Sequence, residues 1–137
     1  MLKLAVLDIE DLAIVSAHMQ DAVIRVGDIG VSRARKQFAL VANRYVWDEQ
    51  NQRQRRRSGL HFDRVLSVKS HNISRSASDA VLSLLSIGFE ETETPSGDVV
   101  LTFSGGGTIR LTVECLEAQL KDLGPSWTAA STPSHKE

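Results

Sequence analysis

Residues 99–115 read Val99-Val100-Leu101-Thr102-Phe103-Ser104-Gly105-Gly106-Gly107-Thr108-Ile109-Arg110-Leu111-Thr112-Val113-Glu114-Cys115. Val99, Leu101 and Phe103 alternate with Val100, Thr102 and Ser104. After three glycines, Ile109, Leu111, Val113 and Cys115 alternate with Thr108, Arg110, Thr112 and Glu114. A period of two marks a strand with one buried face. Glycine supplies the positive φ that a tight reversal needs, so the triplet joins two strands in a β-hairpin. A phosphate cradle would need a helix after the glycines, and here an alternating strand follows with no Lys-Ser/Thr pair. The stretch sets the expectation of a mainly antiparallel sheet.

Working back toward the N-terminus, Thr94-Pro95-Ser96-Gly97 predicts a turn. Residues 80–89 fit two patterns. A helix would align Val81, Leu84 and Leu85, and a strand would divide Val81, Ser83, Leu85, Ile87 and Phe89 from Leu82 and Leu84. Branched residues and Gly88 favour a strand, bulged at the glycine. Leu60, Phe62, Arg64, Leu66 and Val68 suggest another strand, with Val65 interrupting the alternation, and Ser74–Ser78 reads as a connection. Alternation over 22–31 and again over 38–42, leading on to Tyr45 and Trp47, predicts a hairpin whose turn is Ser32-Arg33-Ala34-Arg35-Lys36. Leu2, Leu4 and Val6 open the chain as a short strand. Asp8 then caps a helix over 9–20 with Ile9, Leu12, Val15, Ser16 and Met19 on one face.

Toward the C-terminus, Leu116, Leu120 and Leu123 recur at i, i+4 and i+7, and Gly124-Pro125 terminates the amphipathic helix they predict. The polar stretch 125–137 is expected to be mobile, with Trp127 as its one candidate anchor. These readings sum to an α+β fold in one domain, residues 1–124. It has about six or seven mainly antiparallel strands and a helix near each end. In layout this is a pleckstrin-homology-like roll or a half-open barrel, and the alternative is an open sheet with both helices on one face.

With 42% hydrophobic and 24% charged residues, the composition is that of an ordinary globular protein. No apolar run approaches the roughly 20 residues of a membrane span. The apolar start, Met1 to Leu7, is too short for a secretory leader. Cys115 is the only cysteine, so no internal disulfide can form. A cytoplasmic location is the expectation.

The charge is uneven. The net is −2 over residues 1–20, +7 over 21–75 and −6 over 76–137, although the whole chain is only −1. The densest point is Gln52-Arg53-Gln54-Arg55-Arg56-Arg57, expected to be an exposed loop closed by Ser58-Gly59. Arg53, Arg55, Arg56 and Arg57, with Arg33, Arg35 and Lys36, are therefore the candidate contacts for an anionic partner, either RNA or an acidic protein surface. Tyr45 and Trp47 nearby could stack on bases. Alternatively, basic and acidic parts could pair between copies in a homo-oligomer.

Other chemistry is sparse. His18, His61, His71 and His135 have no metal-ligand spacing, and neither metal nor cofactor is expected. His61 and Asp63 would share a strand face as a base and its orienting acid. Cys115, in phase with Ile109, Leu111 and Val113, is expected in the core. A small enzyme built on His61, Asp63 or Cys115 is the competing reading to a non-catalytic binding or adaptor domain.

Residues 2–23 (Leu-Lys-Leu…Asp-Ile-Glu-Asp-Leu…Ser-Ala-His-Met-Gln-Asp-Ala-Val), the phrase Arg-Ser-Gly-Leu-His-Phe-Asp-Arg-Val at 57–65, and Gly105 through Trp127 resemble the alphaproteobacterial domain-of-unknown-function family 2948. The resemblance implies a bacterial cytosolic protein and carries no assigned site residues.

Overall fold

The computed structural model describes residues 2–47, 50, 53–74, 76–124 and 127–128. Among them are eleven strands and one α-helix. In chain order these are β1 (Lys3–Val6), α1 (Ile9–Met19), β2 (Val23–Arg25), β3 (Ile29–Ser32), β4 (Gln37–Trp47), β5 (Arg53–Phe62), β6 (Val65–His71), β7 (Val81–Glu91), β8 (Gly97–Phe103), β9 (Thr108–Val113), β10 (Ala118–Asp122) and β11 (Trp127–Thr128). The strands run β1-β10-β5-β4-β2-β7-β8-β9-β6, with β3 paired to β4 and β11 to β5. Every pairing is antiparallel. The protein is thus mostly antiparallel sheet with one helix, and the sheet is larger than the six or seven strands expected.

The hairpin that opened the sequence reading forms as β8 and β9, with Gly105 and Gly106 at φ 83° and 89°. Its strands alternate without a slip, so Val99, Leu101, Phe103, Ile109, Leu111 and Val113 are all buried. From there the sheet turns a corner. β9 leads through Glu114–Glu117 into β10, while β5 leads through Asp63-Arg64 into β6. Because β5 pairs with β10 and β6 with β9, two bent ribbons take the corner side by side. Asp63 N–H donates to Glu117 O and Glu114 N–H to Arg64 O, both at 2.9 Å, and Arg64 adopts φ 61°. Followed from β9 through β8, β7, β2, β4 and β5 to β10, the pairings form an open path, and at the corner β9 runs on along the chain into β10, so the sheet curls around its own inner face.

One cluster of apolar side chains fills that curl. Phe38 faces Phe62 across β4 and β5, while Leu40, Leu60, Leu120 and Leu4 form a row across four strands. α1 lies against β7, β1 and β4 and buries Leu12, Val15 and Met19. The helix starts as expected. Asp8 Oδ1 accepts from Asp11 N–H at 2.8 Å, and Asp11 Oδ2 accepts from Leu7 N–H at 3.0 Å. Ser16 Oγ accepts the Ile87 N–H at 2.9 Å, fixing the helix to β7.

The structure corrects several expectations. No C-terminal helix is present among the described residues: 118–122 is strand β10, inserted between β1 and β5. The leucine spacing suggested a helix, yet the buried set is Leu116, Ala118, Leu120 and Asp122, a period of two whose last member is polar. The arginine segment is a strand and not a loop, because Arg53–Phe62 pairs along its length with β4. The strand expected over 60–68 breaks at Asp63-Arg64, the position where Val65 upset the alternation. The run 22–31 is split into β2 and β3 by a short helical turn at Val26–Asp28. Residues 80–89 are strand, as favoured, but the bulge lies between Leu84 and Ser86 and not at Gly88. That slip explains why Leu84 and Ile87 are both buried while Leu85 is exposed. Within the tail expected to be mobile, Trp127 and Thr128 pair with Arg55 and Gln54, and 125–126 and 129–137 lie outside the described residues.

Candidate functional site

A strand sends neighbouring side chains to opposite faces, so β5 sorts the arginine run into two sets. Arg56 shares its row with Arg44 and faces inward with Ser58 and Leu60, whereas Arg53, Arg55 and Arg57 hold outer positions. The side chains of Arg53 and Trp47 lie outside the described residues.

On the inner face, Arg44 is 2% and Asp122 1% exposed. Arg44 forms a fork, with its terminal nitrogen 2.9 and 3.1 Å from the two Asp122 oxygens and Nε 3.2 Å from Oδ1. Ser58 Oγ donates to Oδ1 at 2.8 Å and accepts from Arg44 Nε at 3.0 Å. Leu2 N–H donates to Asp122 Oδ2 at 2.9 Å, and the Arg56 guanidinium stands 3.7 Å from that oxygen. Burial pushes the Asp122 carboxyl up, but the Leu2 N–H, the Ser58 hydroxyl and Arg44 outweigh it, and the net effect holds it below its ordinary 3.8. This cluster stitches β1, β4, β5 and β10 together from within. Arg56 is thereby committed beside Asp122.

The outer face is different. Register places Lys3 opposite Lys121, Lys121 opposite Gly59, Arg57 opposite Asn43 and Arg55 opposite Tyr45. Among the described residues no carboxylate holds an outer position on β1, β10, β5 or β4. Lys3, Lys121 and Arg57 are exposed and form no ion pair among the described residues. Arg55 lies 5.0 Å over the Tyr45 ring and donates to a Tyr45 hydroxyl at 2.7 Å. One face of the tyrosine expected to stack on bases is therefore already covered. Arg55 Nε and Asn43 Oδ1 are buried here without a hydrogen-bond partner. Lys3 and Lys121 were missed in the sequence because only cross-strand register brings them beside Arg57.

Arg33, Arg35 and Lys36 sit in the β3–β4 turn, at the other end of β4. Seven residues separate Lys36 from Asn43, the partner of Arg57, or about 23 Å of strand. The two basic groups therefore do not form one compact site. Arg33 and Lys36 instead line a cleft of about 480 Å³ with Val31, Val65, Leu66 and Val68.

The catalytic candidates do not converge. His61 Nε2 lies 3.5 Å from Asp63 Oδ2, and the other Asp63 oxygen accepts from Gln37 Nε2 at 3.0 Å. Neither residue lines the cleft that holds Cys115. Cys115 is half-buried and not in the core as expected, because β9 ends at Val113 and the chain turns there. Its cleft, about 430 Å³, is lined by Leu7, Ile9, Phe89 and Pro95 with Asp8, Glu10, Glu91 and Glu117, and it holds no histidine, lysine or arginine to support a thiolate nucleophile. Among the described residues no group of three His, Cys, Asp or Glu could hold a metal ion, and no helix is long and apolar enough to cross a membrane.

Fold and site together define a mainly antiparallel α+β protein whose curled sheet presents one cationic outer face. Over residues 2–135 the chain matches the family described as protein of unknown function (DUF2948), and it belongs to that family. No curated protein and no solved structure matches it.

Proposed function

We propose that this protein is a non-catalytic binding domain that engages a polyanion, best represented by single-stranded RNA, through the outer face of β1, β10, β5 and β4. The reading is carried by the carboxylate-free row of Lys3, Lys121, Arg57 and Arg55 on a rigid sheet. Cations two residues apart on a strand stand about 7 Å from each other, a spacing suited to successive contacts along an extended backbone. A protein partner would be expected to meet an apolar centre, and among the described residues Leu123 is the one large exposed apolar side chain beside this face. The curled sheet is read as a half-open barrel, in which the inner ion cluster ties β4, β5 and β10 together behind the binding face.

Fluorescence anisotropy with a labelled single-stranded RNA tests the proposal. Four phosphate contacts predict that log affinity falls with log salt at a slope of about −3. Arg57→Glu with Lys121→Glu should weaken binding at least tenfold and flatten the slope, leaving thermal stability nearly unchanged. Equal affinity of the double variant, or a salt-independent signal, would remove the RNA reading. Binding to an acidic protein with no binding to RNA would move it to the other class of partner.

A further inference from the structure

The curl of the sheet is incomplete between β3 and β6. Among the described residues β3 pairs only with β4, and β6, the end of the strand order, pairs only with β9. The two meet at a vertex, where Val65 N–H donates to Lys36 O at 2.8 Å, and they diverge from it around the 480 Å³ cleft. Val31 faces the same way as fully buried Phe38, yet it is 41% exposed because no neighbouring strand among the described residues covers it. Leu66, at the register slip that begins β6, is 54% exposed. An uncovered apolar row beside a free strand edge is the arrangement that accepts an added strand.

Charge indicates what kind of strand fits. Arg33 and Arg35 stand at the vertex without an ion pair among the described residues, and Lys69 and His71 punctuate β6 farther along. The carboxylates nearest the vertex are already engaged. Glu114 lies 3.2 Å from Lys36 and 3.9 Å from Arg64, and Asp63 accepts from Gln37. Among the described residues no acidic side chain lines the cleft itself. A second copy adding its own β6 would bring the lysine of one edge toward that of the other with no carboxylate on β6 to offset it, which disfavours self-association. An extended acidic segment meets no such penalty.

We infer that the opening between β3 and β6 binds an extended peptide segment of a partner protein, with alternating apolar and acidic residues, as an added strand on β6. Its backbone pairs with the free edge of β6. Its apolar side chains cover Val31, Leu66 and Val68, and its carboxylates meet Arg33. This site is separate from the outer face and does not depend on the RNA reading.

The probe is a labelled, N-acetylated peptide of alternating valine and glutamate, titrated into the full chain. Expected results are saturable binding, slowed amide exchange across Leu66–His71, and at least a tenfold loss with Arg33→Glu. A comparable loss should follow N-methylation of alternate peptide amides, which removes strand pairing and leaves charge intact. Leu66→Lys should weaken binding too, and its exposure means the fold should survive. Arg57→Glu with Lys121→Glu should leave peptide binding unchanged, so failure here and failure on the outer face are told apart. The inference is overturned if the peptide does not bind, if a valine–lysine peptide binds as well, or if N-methylation has no effect. It is equally overturned if the free protein dimerises in a manner that Leu66→Lys abolishes.

Discussion

At the scale of single residues, the decisive pair is Arg44 and Asp122. Replacing Asp122 by Asn would leave the buried Arg44 guanidinium without its counter-charge, a loss of about 3–5 kcal/mol at neutral pH. The pH dependence follows from the depressed carboxyl. A carboxylate whose folded pKa lies below its unfolded value adds stability above the unfolded value and loses it as pH falls through the folded one. Denaturant unfolding should therefore show the gap between native and Asp122→Asn proteins narrowing below about pH 4. A gap that stayed constant into acid would contradict the ionised pair. Cys115 offers a second check. Half-buried at a cleft wall, it should react with a small thiol reagent in native protein, and reaction only in denaturant would restore the core reading.

At the scale of elements, β10 is where the sequence misled and the reason is physical. A leucine at every third or fourth position marks a helix only if the residues between are polar and exposed, and Ala118 is buried while Leu123 is 48% exposed. Asp122 hid the true alternation, since its burial depends on an arginine 78 residues away. Arg44 hid the inner phase of β4 in the same manner, following Phe38, Leu40 and Ala42 on their face. By contrast α1 and the β8–β9 hairpin were legible because their signals, a cap and a glycine run, are local, while residues 80–89 fitted both helix and strand and only the branched residues favoured the strand that forms. The strand reading of β10 makes a testable distinction. Leu120→Ala should cost about 2–5 kcal/mol, whereas Leu123→Ala should cost well under half as much, as measured by chemical denaturation. Similar losses at both positions would fit a helix better. Gly97→Ala is the matching test in β8, where an added Cβ would sit 2.7 Å from the Glu90 carbonyl oxygen and 2.5 Å from the Phe89 ring. Destabilisation of about 1–3 kcal/mol is expected there.

At the scale of the whole molecule, the sequence displayed its positive surplus but not its distribution. Composition places seven candidate cations in the middle third, and folding divides them three ways. Arg53, Arg55 and Arg57 take outer positions, Arg56 joins the inner cluster, and Arg33, Arg35 and Lys36 mark the far turn. The outer face then recruits Lys3 and Lys121, 118 positions apart in the sequence and paired across β1 and β10. No linear window contains that surface, so only register could reveal it. The acids of the last third are also dispersed: Glu90 and Asp98 hold Arg110 at 2.7 and 2.9 Å, and Glu114 and Glu117 lie beside Arg64. Among the described residues none of these acids holds an outer position on β1, β10, β5 or β4.

The Arg44–Asp122 contact also bears on how the chain matures during synthesis. Made from the N-terminus, a nascent chain carries Arg44 for 78 residues before its partner exists, a wait of roughly 4–16 s at ordinary ribosomal speeds. Throughout that interval β5 lacks β10 along one edge, and β1 has no strand to pair with. Native closure of this edge therefore waits until β10 has been made, and until then the backbone of Ser58–Phe62 has a partner on one side only.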